Sequence, residues 1–239
     1  MQPTENASKP AVTVLVTGAT SGIGQAIARG FANSGKQVLA VGVGSLPADE
    51  PNLSYAELDV QDEAAITEMI TPLSDLAVVV NAAGIIQRGA EHNPAIFHRV
   101  IDINLTGTMR VCAAARPALA ANNGAIINIA SMLSYFGGGL VPGYSASKGG
   151  IMQLTKSLAI AYAPDGIRVN AVAPGWIATP LTEGLRDDEA RSDAILGRTP
   201  MGRWGTPEDL IGPSLFLASP SAGFVTGTCL NVDGGYAAA

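Results

Sequence analysis

The stretch that most constrains the fold is T-G-A-T-S-G-I-G, Thr17 to Gly24. It follows A-V-T-V-L-V, a short apolar run rich in β-branched residues, and precedes Q-A-I-A-R-G-F-A-N-S-G-K, whose apolar residues recur with helical period. Strand, glycine turn and helix in this order form the opening unit of a parallel α/β sheet, and there the glycines have separate duties. Gly18 allows the sharp turn, Gly22 lets backbone approach a ligand closely, and Gly24 lets helix pack tightly on strand. A pyrophosphate would then sit over the helix N-terminus. Gly18 and Gly22 stand further apart than the first two glycines of the common dinucleotide fingerprint, with three residues between them in place of one.

The alternation continues. Strand-like runs recur at Gln37 to Val43, at S-Y-A-E-L-D-V, at Leu76 to Gly84, at Gly124 to Ser131, at I-R-V-N-A-V-A and at T-G-T-C-L-N-V-D-G-G. Between them lie helical patterns: a short one at Q-D-E-A-A-I-T-E-M-I-T, a long one over 93–121 opening at Pro94, one beginning at Tyr144, and one at P-E-D-L-I-G-P-S-L-F-L-A. This predicts a single-domain, Rossmann-type, doubly wound parallel sheet of about seven strands with helices on both faces, over residues 11–239. Residues 1–10 read as a disordered polar leader. The span 181–203, charged and the least strand-like, reads as a mobile substrate lid.

Several positions fall where strand ends should meet a cofactor. The residue ending the second strand reads the adenosine ribose, as an acid for NAD or beside an arginine for NADP. Here Gly42, Val43, Gly44 and Ser45 supply neither, and the absence of a cation favours NAD over NADP. Asp59 would bond the adenine amine or else close a turn. Small residues at Ala82, Ala83 and Gly84 let a flat cofactor lie against the sheet, while Pro174 and Gly175 end a later strand on the same side. Thr179 would reach a carboxamide or a phosphate. Asn104, on an apolar helix face, is either structural or the holder of a water.

The chemistry sits in S-M-L-S-Y-F-G-G-G-L-V-P-G-Y-S-A-S-K, Ser131 to Lys148. Tyr144 and Lys148 are one helical turn apart and share a face. An ammonium about 5 Å from a phenol, at an effective dielectric of about 20, favours the phenolate by roughly 3 kcal/mol, or about two pKa units. Such a phenol trades protons near neutrality, and Ser131 can donate a hydrogen bond to the same substrate oxygen.

The chain is 47% hydrophobic with a net charge of -6, and its pI near 4.8 leaves no basic stripe for nucleic acid. No apolar run approaches a membrane span, and the N-terminus lacks the apolar core of a signal peptide, so a cytoplasmic protein is expected. Cys112 and Cys229 read as buried, reduced thiols, and His92 and His98 carry no metal-ligand pattern.

T-G-A-T-S-G-I-G, N-A-A-G, Asn104, Ser131, Y-S-A-S-K and P-G-W-I-A-T together resemble the short-chain dehydrogenase/reductases over residues 11–236. The resemblance implies Tyr144 as general acid/base, Ser131 as the group that polarises the substrate oxygen, and Lys148 on the nicotinamide ribose. It also implies Asn104 as the holder of a relay water. Gly18, Ser21, Gly22, Ile23, Gly24, Gly42, Asp59, Val60, Asn81, Ala82, Ala83, Gly84, Pro174, Gly175, Ile177 and Thr179 would line the cofactor; a second Asn common in the family is Ala82 here. The second half, through I-I-N-I-A-S-M-L-S and G-R-W-G-T-P-E-D-L, is similar to the sugar-acid branch, including 2-deoxy-gluconate and 2-dehydro-3-deoxy-gluconate dehydrogenases.

The implied activity is interconversion of a secondary alcohol and a ketone on a small hydroxy or keto substrate, with Arg88, Met132 and Trp176 among the substrate contacts. The rivals are a dinucleotide-sensing protein without turnover, an epimerase or dehydratase, and a carbonyl reductase using NADPH. The family also implies a homotetramer built through the helices of 94–121 and 144–163.

Overall fold

The computed structural model describes residues 12–239; the leader expected over 1–10 lies outside the described residues. Seven strands form one sheet: Val14–Thr17 (β1), Val38–Gly42 (β2), Leu53–Glu57 (β3), Val78–Asn81 (β4), Ala125–Ile129 (β5), Arg168–Pro174 (β6) and Cys229–Val232 (β7). The connections hold the helices Gly22–Asn33 (α1), Glu63–Ile70 (α2), Pro94–Ile101 (α3), Gly107–Ala121 (α4), Pro142–Tyr162 (α5), Glu183–Arg186 (α6), Glu189–Gly197 (α7) and Ile211–Ala218 (α8).

All strand pairings are parallel, in the order β3-β2-β1-β4-β5-β6-β7. The winding therefore reverses between β1 and β4, and the carboxyl ends of these two strands open the crevice in which such sheets bind ligands. Strand alternation divides the core into two layers. Val14 and Val16 pack with Ile27 and Phe31 of α1 and Leu217 of α8. Leu15 and Val79 pack on the other face with Ile66 of α2, Val111 and Leu119 of α4, and Leu158 of α5. Strands covered on both faces are why β1, β4 and β5 read as unbroken apolar runs.

Two expectations change. The single helix read over 93–121 is divided: between α3 and α4, Asp102–Thr106 widens into a π-helical turn. Asn104 sits at its centre, wholly buried, its side chain bonded outward to Ile85 and its carbonyl accepting from the Thr108 hydroxyl at 2.9 Å. A side chain that must reach out of the helix widens the turn that carries it. The span 181–203 is no open loop but folds into α6 and α7. The Asp188 carboxylate caps α7 through the Arg191 amide at 3.2 Å, and the Trp204 indole N–H donates to the Ser192 hydroxyl at 3.0 Å.

Candidate active site

The crevice floor is bare backbone. Gly18 and Gly22 hold φ of +63° and +56°, which glycine adopts without strain. A Cβ on Gly18 would lie 2.6 Å from the Ala83 backbone, so the turn after β1 rests directly on the end of β4. A Cβ on Gly24 would strike the Gly18 carbonyl, which is why helix α1 can start so close to the strand. Ser21 caps α1 by position, yet its hydroxyl bonds none of the first-turn amides, leaving them to a ligand. Thr179 stands over this turn, its methyl 3.6 Å from the Gly22 Cβ position, and Lys148 Nζ is 3.8 Å from that of Gly84. The cradle, the free amides of α1 and this ammonium along one line fit a dinucleotide with its pyrophosphate at the helix N-terminus.

The ends of β2 and β3 complete that line. Gly42 lies against Thr20, whose methyl would be 3.0 Å from a Cβ there. One oxygen of the Asp59 carboxylate accepts from the Gln61 amide at 2.9 Å, and Val60 beside it is buried. The Asn81 side chain turns away from the crevice. Its amide donates to Asn128 Oδ1 at 2.9 Å and to Cys112 Sγ at 3.3 Å, and Asn128 in turn donates to Thr155 at 2.9 Å. This chain ties β4 to β5 and α5 under the site. Burial pushes the Cys112 thiol up to about 12, whereas Cys229 is only half-buried.

Ser131, at the end of β5, and Tyr144 and Lys148, on the first turns of α5, meet beside the cradle. Ser131 accepts from the Leu133 amide at 3.1 Å, and its hydroxyl acts on the Tyr144 phenol to lower it. Ser134 joins the two elements, accepting from the Ser131 amide at 3.2 Å and donating to the Lys148 carbonyl at 2.7 Å. The Lys148 ammonium lies 5.6 Å from the phenol ring centre and donates to the Ile129 carbonyl at 2.6 Å. Burial brings it down to about 8. Burial pushes the phenol above its ordinary value, against the Ser131 hydroxyl, with Glu91 acting upward and Arg88 downward. Desolvation of the phenolate is the largest of these influences.

Asn104 Oδ1 accepts from the Ile85 amide at 2.8 Å, and its amide donates to the Ile85 carbonyl and to Ser147 Oγ, both at 3.0 Å. Both of its N–H groups are therefore engaged in joining the strand end after β4 to α5.

Above these groups opens a cavity of about 390 Å³. Met132, Trp176 and Arg88 line it, together with Arg191 of α7 and Arg198 just after that helix. Arg198 stacks over Phe136 at 4.8 Å and over Tyr236 at 4.3 Å. Three of the described lining residues are arginines and none is acidic. The Trp176 indole N–H is buried without a partner.

A family model described as Enoyl-(Acyl carrier protein) reductase matches residues 18–237. The chain belongs to the short-chain dehydrogenase/reductase family.

Among its relatives, a 2-dehydro-3-deoxy-D-gluconate 5-dehydrogenase of Pseudoalteromonas atlantica is 41% identical over 93% of this chain and 94% of its own. A candidate 2-deoxy-D-gluconate 3-dehydrogenase of Agrobacterium tumefaciens, solved with bound NADP, is 41% identical with a TM-score of 0.88, covering 95% of this chain and 97% of its own. A gluconate 5-dehydrogenase of Burkholderia cenocepacia, solved with NADP and tartrate, is 33% identical with a TM-score of 0.87, covering 95% and 96%. This short-chain dehydrogenase/reductase is an NAD(P)-dependent oxidoreductase that interconverts an alcohol and a ketone. No helix of its described residues is long and apolar enough to cross a membrane.

Sequence reasoning missed Ser134, Ser147, Glu91 and the Phe136, Tyr236 and Arg198 stack in this enzyme. Ser147 stands inside Y-S-A-S-K and Ser134 closes I-I-N-I-A-S-M-L-S, yet neither letter by itself shows its partner, and Arg198 lies 62 residues from Phe136 and 38 from Tyr236 along the chain. The sequence signal for the pocket wall is the apolar, glycine-rich stretch 132–143.

Proposed function

We propose that the enzyme oxidises a secondary hydroxyl of a sugar acid, with NAD as its favoured acceptor. The carrying observation is the meeting of Ser131, Tyr144 and Lys148 at the mouth of a cleft lined by three arginines and no acid. On a chain of net charge -6, such a lining favours an anionic substrate.

Tyr144 takes the hydroxyl proton as the alcohol is oxidised and returns it to the ketone in reduction. Ser131 donates a hydrogen bond to the same oxygen and fixes its orientation. Lys148 sits between the cradle and the phenol, able to bond the nicotinamide ribose. A relay water at Asn104 would meet acceptors only, since both amide hydrogens are used. A nicotinamide dinucleotide along the cradle supplies the hydride chemistry. Arg88, whose positive charge acts on the phenol, is assigned to the substrate carboxylate. NAD is favoured because the end of β2, Gly42 to Ser45, presents no cation for a 2′-phosphate. The enzyme forms a homotetramer, with exposed Met109 of α4 and Ile160 of α5 meeting other copies. Light scattering at the 24.3 kDa of one chain overturns that assembly.

The test has two arms. NADH and NADPH are titrated by nicotinamide fluorescence; NADH should bind at least about tenfold tighter, and tighter NADPH overturns the preference. Oxidation of D-gluconate and 2-dehydro-3-deoxy-D-gluconate is then compared with that of neutral polyols. Arg88→Ala should raise KM for the acids at least about tenfold and for the polyols by much less, since the guanidinium forms a charge-assisted bidentate pair with a carboxylate and not with a hydroxyl. Preference of the native enzyme for neutral polyols overturns the sugar-acid reading.

A further inference from the structure

Glu91 is a buried carboxylate, 1% exposed, with no salt-bridge cation among the described residues. One oxygen accepts from the Tyr144 amide at 2.7 Å and the other from the Gln87 amide at 2.7 Å. The first bond spans 53 residues and does a task that α5 leaves undone. Val141, at the N-cap of α5, has no capping side chain, and Pro142 and Gly143 follow it, so the third residue of the helix, Tyr144, has an amide that nothing local can satisfy. A carboxylate there also meets the positive end of the helix. The second bond closes the turn 87–91, which carries Arg88. The same turn is docked again by the Gly89 amide on the Leu140 carbonyl at 2.7 Å and by the His92 ring, whose Nε2 is 2.9 Å from the Gly139 carbonyl. Gly143 leaves room for this arrangement: a Cβ there would lie 3.3 Å both from Glu91 Oε2 and from the Phe97 ring.

We propose that Glu91 is a positioning residue for the reaction: its single carboxylate locks the turn bearing Arg88 to the residue bearing the acid/base phenol, and so fixes the spacing between them. This rests on the roles proposed above for Arg88 and Tyr144. Displacement of Glu91 moves both the group that meets the substrate carboxylate and the group that moves the proton. The charges facing the phenol are Glu91 and Arg88 from this turn and Lys148 from its own helix, with the Ser131 hydroxyl opposite. Removal of the Glu91 charge therefore leaves Arg88 unopposed.

The test uses the cofactor-free full chain and the loaded enzyme in parallel. The phenol of Tyr144 is followed as the ultraviolet phenolate step present in the protein and absent from its Tyr144→Phe counterpart. Glu91→Gln should move that step at least half a pH unit downward and lower kcat at least tenfold on D-gluconate. NADH affinity should stay within twofold, and Glu91→Asp should recover part of both effects. Gly143→Ala, which crowds the carboxylate without removing it, should lower kcat in the same sense and serves if Glu91→Gln fails to fold. An unmoved phenolate step with kcat within twofold overturns the proposal, as does a loss of melting temperature alone. If the native enzyme turns over no sugar acid, the substrate reading fails, while the phenolate step still decides the role of Glu91.

Discussion

The ammonium of Lys148 donates to the main-chain carbonyl of Ile129 at 2.6 Å, so the charge of the catalytic helix is anchored to the end of the neighbouring strand. Burial holds that ammonium down to about 8, below the 10.5 of an unperturbed lysine. A base whose folded pKa is depressed makes the native state pay for its protonation: the penalty is complete below about pH 8 and fades as pH rises toward about 10.5. Relative to Lys148→Met, the cofactor-free protein should therefore gain stability across that window, by at most about 3 kcal/mol. Urea unfolding of both proteins at its two ends measures the gain. A difference that does not change with pH contradicts it.

Tyr144→Phe removes the hydroxyl that moves the proton while leaving the ring in place. Turnover should fall by at least about 10²-fold. NADH binding should stay nearly unchanged, because the cradle is backbone and Lys148 remains. Comparable turnover in the variant would sink the acid/base assignment.

The phenol of Tyr144 is raised in the cofactor-free protein, chiefly by burial. Its phenolate step should come above about pH 10, the ordinary value for tyrosine. Oxidation needs the phenolate and reduction the phenol, so alcohol oxidation should climb through the alkaline range while ketone reduction declines. A step near neutrality in ultraviolet titration of the cofactor-free chain would refute this.

Asn104→Ala strands the amide and carbonyl of Ile85 and takes from the Ser147 hydroxyl oxygen the N–H it accepts. Each buried group left unpaired costs about 1–3 kcal/mol, so a loss of at least about 2 kcal/mol is expected in chemical denaturation. The variant should also lose activity, since Gly84 and Lys148 meet across this junction. A stability within about 0.5 kcal/mol of the native protein would show that the π-helical turn relaxes without the side chain.

Gly18→Ala sets a methyl 2.6 Å from the Ala83 backbone at a φ of +63°. Either the turn or the end of β4 must shift, and NADH affinity should drop more than about tenfold, or 1.4 kcal/mol. Fluorescence titration gives the answer directly, and unaltered affinity would remove Gly18 from the cradle.

Thr17 to Gly24 announced the βα opening because only glycine suits φ above zero and backbone set against backbone, and the unbroken apolar runs announced strands covered on both faces. Ser131, Tyr144 and Lys148 were legible for a related reason: one helical turn and one strand end bring them together through local geometry. Asn104 was visible as an anomaly, a polar residue on an apolar face, but its partner Ile85 was not. That the Asn81 side chain turns inward to Asn128, leaving only its backbone at the strand end, was not legible either.

What the sequence determined by itself was whatever depends on local periodicity and backbone sterics: the doubly wound sheet, the glycine cradle and the serine, tyrosine and lysine set. What the tertiary structure alone decided was everything resting on contact between distant segments. The π-helical turn answers to Ile85, the place of α7 to Asp188 and Trp204, and the Arg198 guanidinium of the cleft to Phe136 and Tyr236. The phenol's upward displacement belongs here too, because desolvation is a property of the packed cleft and not of the spacing between two letters.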